Sequence, residues 1–420
     1  MRYIGNKTRL LGFIRRAADA AGLAGGSMHD AFSGTASVGR AFKEDGWRVA
    51  SSDIMTYSYV FQRAYVVAQR SPGFSSLLDG EPELRSTIRS VRFRAALPVA
   101  GARERGHSGS SPVAGATLLS VAEYLSRWIE PERGFITRNY SPAGGRMYFT
   151  EENAGRIDAI RRRLHEWRAS ELIGEDEYYI LLAALIEAAD RVANTAGVYA
   201  AYIKSWQPNA RRPLALLPVA PVRGPRGSCA FQGDAAAIAE GLGRVDLLYV
   251  DPPYNSRQYA GYYHIPEIIA RGWFDGKPSI GGKTGLPARR EQRSDWCSAR
   301  KVEGALEALL EATGARHVLV SYNSEGHLSE SSLRSILSRF AADGEVRRYT
   351  RDYRRYRADS DSTRRRFRDG ALREILFHAR LGNDERAGSR RRIKGNRKQE
   401  TGNRRQKSAH LSPPSPRERE

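Results

Sequence analysis

Short apolar runs that end at small or acidic residues recur along the chain, and segments of helical spacing separate them. Apolar runs of roughly four to eight residues are typical of buried strands, whereas spacings of three and four indicate helices. The strands predicted in this way are Met28–Phe32, Trp47–Ser51, Cys229–Gln232, Val245–Val250 and His317–Ser321, with Glu345–Thr350 and Glu374–His378 as a closing antiparallel pair. This alternation predicts an α/β fold with a mostly parallel sheet and helices on both faces.

A long stretch between the second and third strands is mainly helical in pattern. Glu151–Arg168 carries apolar residues at helical spacing, and so does Glu175–Val192. Helix packing explains most of these positions. Inserted blocks of this size are often recognition modules, so we expect such a module between the two strands.

The tetrapeptide Asp251-Pro252-Pro253-Tyr254 directly follows the apolar run 245–250. Parallel sheets bind ligands at the carboxyl ends of their strands. The prolines donate no amide hydrogen, so the turn offers acceptors, chiefly the Asp251 carboxylate and the Pro252 carbonyl, beside an aromatic ring. This combination suits a planar substrate with an amino group, such as adenine. A plain surface turn is the alternative for the tetrapeptide alone.

A second candidate site lies where the first strand turns into a helix, at residues 30–36. Gly34 permits close approach of a ligand to the backbone, and the helix amino terminus that follows offers free amides. Asp53 after the second strand is placed to accept hydrogen bonds from ribose hydroxyls, and Asp234 after the third is placed to hold an adenine amine. The loop is neither a dinucleotide fingerprint nor a Walker loop, so a cationic nucleoside such as S-adenosylmethionine fits better than NAD or ATP.

The charge balance indicates a polyanionic partner. The 420 residues include 68 Lys and Arg against 47 Asp and Glu, a net charge of +21. The segment Ala387–Glu420 holds about 11 basic and 3 acidic residues with few large apolar side chains, which predicts a disordered basic tail. The rest still carries an excess of positive charge, and nucleic acid is the simplest partner.

The cysteines and the apolar segments limit which metal sites, compartments and membrane segments are expected. Cys229 and Cys297 show neither a pairing pattern nor metal-ligand spacing, so we expect no metal site and a reducing compartment. The first residues lack the apolar core of a signal peptide, and no apolar run is long enough to span a bilayer. These features predict a cytoplasmic enzyme without a membrane partner.

The order of these motifs resembles that of adenine-N6 DNA methyltransferases of the Dam-like class, as found in bacterial restriction–modification systems. Residues 1–7 (Met-Arg-Tyr-Ile-Gly-Asn-Lys) resemble the amino-terminal cofactor motif of that class, Asp30–Gly34 its glycine motif and Asp251–Tyr254 its catalytic motif. Residues 148–154 and 192–197 resemble helical segments of bacterial adenine methylases. Ala36 departs from the pattern, since many relatives have a second glycine there.

The resemblance implies a Rossmann-like methyltransferase sheet with a mainly helical recognition insert. The implied limits are a catalytic part at 1–84 and 223–385, the insert at 85–222 and the tail at 386–420. It implies S-adenosylmethionine as cofactor and double-stranded DNA as partner, with an adenine flipped out of the duplex. It also implies a monomer, and it leaves open a cognate restriction endonuclease acting on the same site.

The resemblance also implies a role for each candidate residue. Asp251, Pro252, Pro253 and Tyr254 are the expected catalytic residues, with Asp251 and the Pro252 carbonyl accepting the adenine N6 hydrogens and Tyr254 stacking on the base. The expected cofactor residues are Tyr3, Lys7, Asp30, Phe32, Ser33, Gly34, Asp53 and Asp234.

Further segments carry two interpretations each. Tyr259, Tyr262 and Tyr263 either contact the base and phosphates or pack the wall of the pocket. The arginine-rich stretch Tyr353–Arg368 is either a contact to the DNA backbone or a solvated loop. If specificity does not reside in the insert, Phe274–Arg290 is the next candidate. Two other functions compete, an RNA adenine methyltransferase and a catalytically inactive DNA-binding relative.

Overall fold

The strands of the computed structural model follow the predicted order. The model describes residues 1–94, 115–287, 291–323, 326–353 and 372–382. The strands are β1 Ser27–Asp30, β2 Arg48–Asp53, β3 Cys229–Gln232, β4 Arg244–Val250, β5 Ile280–Gly281, β6 Leu286–Pro287, β7 Gly314–Asn323, β8 Arg347–Tyr353 and β9 Leu372–Arg380. Two predicted features, the basic stretch Tyr353–Arg368 beyond its first residue and the tail 386–420, lie outside the described residues.

The main sheet has the order β3-β2-β1-β4-β7-β9-β8. The first five strands in this order are parallel, and β9 runs antiparallel to both β7 and β8. The predicted parallel sheet with a closing antiparallel pair is therefore confirmed. The small hairpin β5–β6 was not predicted, because each of its strands has only two residues.

Helices cover both faces of this sheet. They are α1 Leu11–Ala20, α2 Ser37–Glu44, α3 Thr56–Gln62, α4 Ser75–Gly80, α5 Pro82–Arg94, α6 Ala116–Arg127, α7 Phe135–Tyr140, α8 Glu151–Ala169, α9 Glu175–Val192, α10 Ala235–Leu242, α11 Tyr259–Tyr262, α12 His264–Arg271, α13 Val302–Ala312 and α14 Glu330–Phe340. The sequence supplies several caps: Thr150 accepts a hydrogen bond from the amide of Asn153 at the start of α8, and Ser329 accepts one from Ser332 at the start of α14.

The core lies in two apolar clusters, one on each face of the sheet. Strand β4 contributes to both, since Leu247 and Tyr249 join one cluster and Leu248 and Val250 join the other. The first cluster contains side chains from α1, α3, α8, α9 and α12, and the second contains those of α10, α13 and α14. Burial on both faces explains why β4 reads as a nearly continuous apolar run.

The order in which the strands are added to the sheet reverses between β1 and β4. Strands β2 and β3 lie on one side of β1, whereas β4 and β7 lie on the other. The register pairs Asp30 with Tyr249, so the chain leaves both central strands at the same edge. A reversal of strand order opens a crevice beyond the carboxyl ends, which is where open α/β sheets bind ligands.

The helices α8 and α9, which fall inside the predicted insert, are part of the first apolar cluster together with Met28 and Val49 of the central strands. Arg2 ties the amino terminus to α9, because its amide donates to Asp190 Oδ2 at 2.6 Å and its guanidinium donates to the Asp190 carbonyl at 2.6 Å. The end of α9 therefore positions the amino-terminal motif.

Two segments expected to be helical are so only in part. Residues 148–150 precede α8, and the chain is not helical from Ala193 to Gly197. The two segments contact each other instead. The Asn194 side-chain amide donates to the carbonyls of Met147 at 3.0 Å and Ile203 at 2.8 Å. Side-chain bonds of this kind compete with helical hydrogen bonds, and α9 ends just before Asn194.

Candidate active site

A cleft of about 680 Å³ lies beyond the carboxyl ends of β1, β2, β3 and β4. All the residues predicted for the site line it. They are Tyr3, Lys7, Asp30, Phe32, Ser33, Gly34, Asp53, Asp234, Asp251, Pro252, Pro253 and Tyr254. Sequence positions more than two hundred residues apart thus meet in one cavity, which is large enough for a nucleoside cofactor and a second planar group.

The turn after β4 holds a carboxylate and a phenol together. Pro252 is buried, and Asp251 and Tyr254 are largely covered. The Tyr254 hydroxyl donates a hydrogen bond to Asp251 Oδ1, and the ring packs edge-on against Tyr322 with centroids 5.1 Å apart. The alternative of a surface turn is therefore excluded for this tetrapeptide.

The ammonium group of Lys7 lies against this turn. Its Nζ is 2.7 Å from the Tyr254 hydroxyl, 3.3 Å from Asp251 Oδ1 and 2.8 Å from Glu374 Oε1. Lys7 is only 2 % exposed, so it is a buried cation with two carboxylate neighbours. These contacts join it to the predicted catalytic residues Asp251 and Tyr254, while its assignment to the cofactor stays a prediction.

Glu374 was not among the predicted residues. It lies on β9, opposite Asn323 of β7, and its Oε2 has no hydrogen-bond partner among the described residues. The available signal was a glutamate in the apolar strand 374–379, where a charge at a buried position requires a partner. That partner, Lys7, lies 367 residues away in the chain, so local patterns do not reveal the pair.

Burial shifts the acidity of two carboxyl groups in the cleft. It raises the pKa of Asp251 to about 6, although the nearby Lys7 ammonium and the Tyr254 hydroxyl act in the opposite direction. Burial, together with the neighbouring Asp251 carboxylate, raises the pKa of Asp30 to about 7. Perturbed carboxyl groups that face one cavity are typical of functional sites.

The loop after β1 is shaped by two residues with left-handed backbone. Gly34 has φ +52°, and a Cβ there would come within 2.8 Å of the Tyr3 ring. Ala36 has φ +57° and is fully buried. This conformation favours glycine, the residue that the family resemblance leads us to expect at position 36. The turn brings backbone amides to the cleft.

Asp53 and Asp234 both fix the ends of neighbouring strands. Asp53 accepts hydrogen bonds from the amides of Gly34 and Met55, each at 2.9 Å. Asp234 caps α10, since its Oδ1 accepts from the amides of Ala236 at 3.0 Å and Ala237 at 3.1 Å. Burial raises the pKa of Asp53. Both carboxylates line the cleft, where further acceptor positions are available to a ligand.

A wall formed by residues 292–297 was also missed. Trp296 packs edge-on against Phe32 with centroids 4.8 Å apart. Gln258 and Ser294 exchange two hydrogen bonds, of 3.1 and 2.8 Å, which join this wall to the segment after the catalytic turn. An irregular segment has no periodic pattern of apolar residues, so Trp296 was its only indication of burial.

Tyr263 has a structural position. It is fully buried, and its ring stacks on Tyr3 with centroids 4.8 Å apart. Its hydroxyl accepts a hydrogen bond from the Ile4 amide at 2.8 Å, and Tyr259 donates to the Ile4 carbonyl at 3.3 Å. Of the two interpretations, packing of the pocket wall therefore holds for Tyr263. Tyr259 and Tyr262 are half-buried, and Tyr259 lines the cleft.

The sequence of this chain matches the model of a known family. The model of the D12 class N6 adenine-specific DNA methyltransferases matches residues 3–96 and 113–336 of this chain. The chain belongs to this family. It is therefore an enzyme that methylates adenine N6 in DNA, and the predicted methyltransferase fold and function are confirmed. The family match favours DNA over the alternative of an RNA substrate.

Several curated relatives are named as Type II methyltransferases or modification methylases. The chain is 34 % identical over 373 residues to Type II methyltransferase M.NlaIII of Neisseria lactamica, covering 87 % of this chain and 95 % of that protein. It is 36 % identical over 362 residues to Type II methyltransferase M.FokI of Planomicrobium okeanokoites, and 32 % identical over 381 residues to modification methylase StsI of Streptococcus sanguinis. These alignments cover 85 % and 90 % of this chain, but only 50 % and 51 % of M.FokI and StsI.

The described residues contain neither a metal-binding cluster nor a helix that could span a membrane. In that part of the methyltransferase, no group of three or more His, Cys, Asp or Glu side chains is arranged to hold a metal ion. No helix there combines the length and apolar character needed to cross a bilayer.

Proposed function

We propose that this methyltransferase binds S-adenosylmethionine in the cleft and methylates an adenine that is flipped out of double-stranded DNA at one short sequence. The observation that carries the proposal is the junction of two half-sites. The glycine loop after β1 and the acceptor turn after β4 line one continuous cleft. A methyl donor and an amino acceptor bound there come within reacting distance, which lowers the barrier by proximity.

The glycine-loop half of the cleft suits a cationic nucleoside. Asp53 offers acceptors to ribose hydroxyls, Asp234 offers one to an adenine amine, and Phe32 with Trp296 forms an aromatic wall. Asp30 Oδ1 is buried without a hydrogen-bond partner among the described residues, which leaves a free acceptor beside the loop. When bound, S-adenosylmethionine supplies an electrophilic methyl group on a positively charged sulfur.

The catalytic turn suits an extruded adenine. Asp251 and the Pro252 carbonyl accept the two N6 hydrogens, which raises electron density on the nitrogen and directs its lone pair toward the methyl group. The Tyr254 ring stacks on the base, a contact worth about 1–3 kcal/mol in single-stranded recognition. N6 gains the methyl group, then loses one proton to water, so no covalent link to the protein forms.

The rim of the cleft suits a DNA duplex. Ile4 is exposed beside the cleft although its backbone is held by Tyr259 and Tyr263, and an apolar side chain of this kind packs against base steps. The hairpin β5–β6 adds Lys283, and Arg146 donates to its backbone at the carbonyls of Gly282 and Lys283. These cations and the net charge of +21 favour phosphate contacts.

The surroundings of the enzyme are proposed from its relatives. Those named as Type II methyltransferases and modification methylases support a cytoplasmic enzyme that protects DNA, with a restriction endonuclease acting on the same site. We propose that it acts as a monomer, because one chain contains both halves of the cleft.

Transfer of a labelled methyl group tests the proposal. The purified chain is incubated with S-adenosylmethionine carrying a labelled methyl group and with unmethylated plasmid DNA, and the DNA is digested to nucleosides. The proposal expects the label in N6-methyldeoxyadenosine. Label in another nucleoside, or equal incorporation into RNA, contradicts it. A variant with Asp251→Ala separates enzymatic transfer from background.

A further inference from the structure

We propose that Glu374 is a positioning residue whose charge offsets that of Lys7, so that the cluster around Asp251 keeps a net negative charge while positive charge develops on the adenine nitrogen. This inference rests on the proposed function of the cleft. It concerns a residue of the last part of the sheet that the sequence motifs do not include.

The geometry places three charges in one buried cluster. Lys7 Nζ lies 2.8 Å from Glu374 Oε1 and 3.3 Å from Asp251 Oδ1, and it donates to the Tyr254 hydroxyl at 2.7 Å. The side chains of Lys7 and Glu374 are 2 % and 8 % exposed. A cation this deeply buried has to be matched by nearby anions, because water does not reach it to screen its charge.

The charge balance decides what the cluster does during transfer. With one cation and two carboxylates the cluster carries a net charge of −1. Without Glu374 the cluster is neutral, so its negative charge no longer exceeds that of Lys7 beside a nitrogen that becomes positive as the methyl group arrives. The carboxylate of Glu374 therefore lowers the energy of the transition state by through-space attraction, an effect that is strong where water is excluded.

The surrounding groups set the direction of the pH response. The ionisable groups that face Glu374 are Lys7 on the amino-terminal segment, Tyr249 and Asp251 at the end of β4, and Tyr254 in the turn after it. Asp30 at the end of β1 faces Asp251, and the exposed Arg351 is the cross-strand neighbour of Glu374 on β8.

The acidic limb of the pH profile is the range in which kcat falls as the pH decreases. If Glu374 has this role, removing Glu374 and removing Lys7 should shift this limb in opposite directions. Glu374 raises the pKa of Asp251 and Lys7 lowers it. The variant Glu374→Gln removes the anion, so the pH below which kcat falls should move lower. The variant Lys7→Met removes the cation, so this pH should move higher. A residue that merely supports packing lowers the plateau of kcat without moving its limb.

The test measures kcat from pH 5 to 9 with saturating cofactor and DNA, on the full chain and its variants. For Glu374→Gln we expect a fall in plateau kcat of roughly tenfold to a hundredfold, typical of losing a charged partner, and a limb at lower pH. Glu374→Asp keeps the charge and should recover part of the loss. Glu345→Gln, which removes an exposed carboxylate before β8, is the matched control and should behave as wild type.

Calorimetry with S-adenosylmethionine and thermal melting accompany the kinetics, so that a loss of cofactor binding or folding is recognised. If Glu374→Gln does not fold, the double variant Lys7→Met/Glu374→Gln replaces it, and its limb should return toward that of wild type. A wild-type plateau and limb in Glu374→Gln, or limbs that do not separate between the Lys7 and Glu374 variants, overturns the inference. An inactive wild-type chain overturns the proposed function instead.

Discussion

The ammonium of Lys7 donates a hydrogen bond of 2.7 Å to the hydroxyl of Tyr254, which lies 247 residues further along the chain. The same hydroxyl donates to Asp251 Oδ1. In this arrangement, Tyr254 occupies one oxygen of the carboxylate that is proposed to accept an adenine N6 hydrogen. We expect Tyr254 to exchange this bond for stacking on the base when the base enters.

This exchange predicts different effects for two substitutions of Tyr254. Tyr254→Phe keeps the ring but loses both hydrogen bonds, so kcat should fall less than tenfold. Tyr254→Ala also loses stacking worth about 1–3 kcal/mol, which should lower kcat/KM for DNA by roughly a further tenfold to hundredfold. Steady-state kinetics measure both. Equal losses of kcat/KM for DNA in Tyr254→Phe and Tyr254→Ala would show that the ring does not stack on the base.

The acidity of Asp251 predicts the pH dependence of the wild-type enzyme. The mechanism requires its carboxylate form, and burial raises its pKa to about 6. Below that pH the group becomes protonated and is a poorer acceptor for the adenine N6 hydrogen, so kcat should fall as pH decreases from 7 to 5. Measurements at saturating cofactor and DNA test this limb. A kcat that is flat down to pH 5 would contradict the assignment.

Asp30 predicts a stability effect with a definite sign. Its pKa is about 7 in the folded chain against 3.8 as the reference value, so the folded state holds the proton more tightly. The stabilisation is complete at low pH and is lost as pH rises through this window. Asp30→Asn has no carboxyl group to ionise, so it does not lose this stabilisation. It should increase the free energy of unfolding at pH 8 by about 1–4 kcal/mol.

Urea unfolding at pH 8 and pH 5 measures the difference between wild type and Asp30→Asn. The gain should be smaller at pH 5, where wild-type Asp30 is protonated in the folded state. A gain that is independent of pH, or a loss at pH 8, would contradict a raised pKa of Asp30 in the folded chain. Asp79→Asn, at an exposed side chain on α4, is the control.

Asp53 predicts a cofactor defect. Its carboxylate accepts from Gly34 and Met55, so it holds the glycine loop as well as facing the proposed ribose position. Asp53→Ala should weaken S-adenosylmethionine binding by about tenfold or more, as expected for losing hydrogen bonds to a charged acceptor. Isothermal titration calorimetry measures the dissociation constant. An unchanged value would remove Asp53 from the cofactor site.

Exchange of residues 85–222 with those of a relative of different specificity tests the predicted recognition insert. We expect the methylated sequence to follow the insert, read out by sequencing modified plasmid DNA. The hairpin β5–β6 lies against this region, because Tyr140 donates to the Gly285 carbonyl at 2.6 Å. Retained specificity would assign recognition to residues 274–290 instead, and a second chimera that exchanges only these residues is the control.

The sequence predicted the strands because their signals are local. The apolar run before Asp251, the turn at Gly34 and the acidic residue after β2 each follow from neighbouring residues and from where ligands bind on such sheets. Their convergence on one cleft follows in turn from the parallel sheet. The family resemblance added the role of residues 1–7, which no periodicity indicates.

What the sequence did not predict depends on distant contacts. Glu374 becomes part of the site only through Lys7 at the other end of the chain, and Trp296 only because an irregular segment packs on Phe32. The left-handed backbone of Ala36 is likewise imposed by the turn rather than by its own preference. Long-range packing decides such features, and propensities do not encode it.

The most direct measurement is single-molecule sequencing that detects modified bases. The DNA is a plasmid from methylation-free cells that express either the wild-type chain or its Asp251→Ala variant. We expect N6-methyladenine at one short motif with the wild-type chain and none with the variant. An unmarked plasmid in both cases, or marks that persist with Asp251→Ala, would contradict adenine methylation at the cleft.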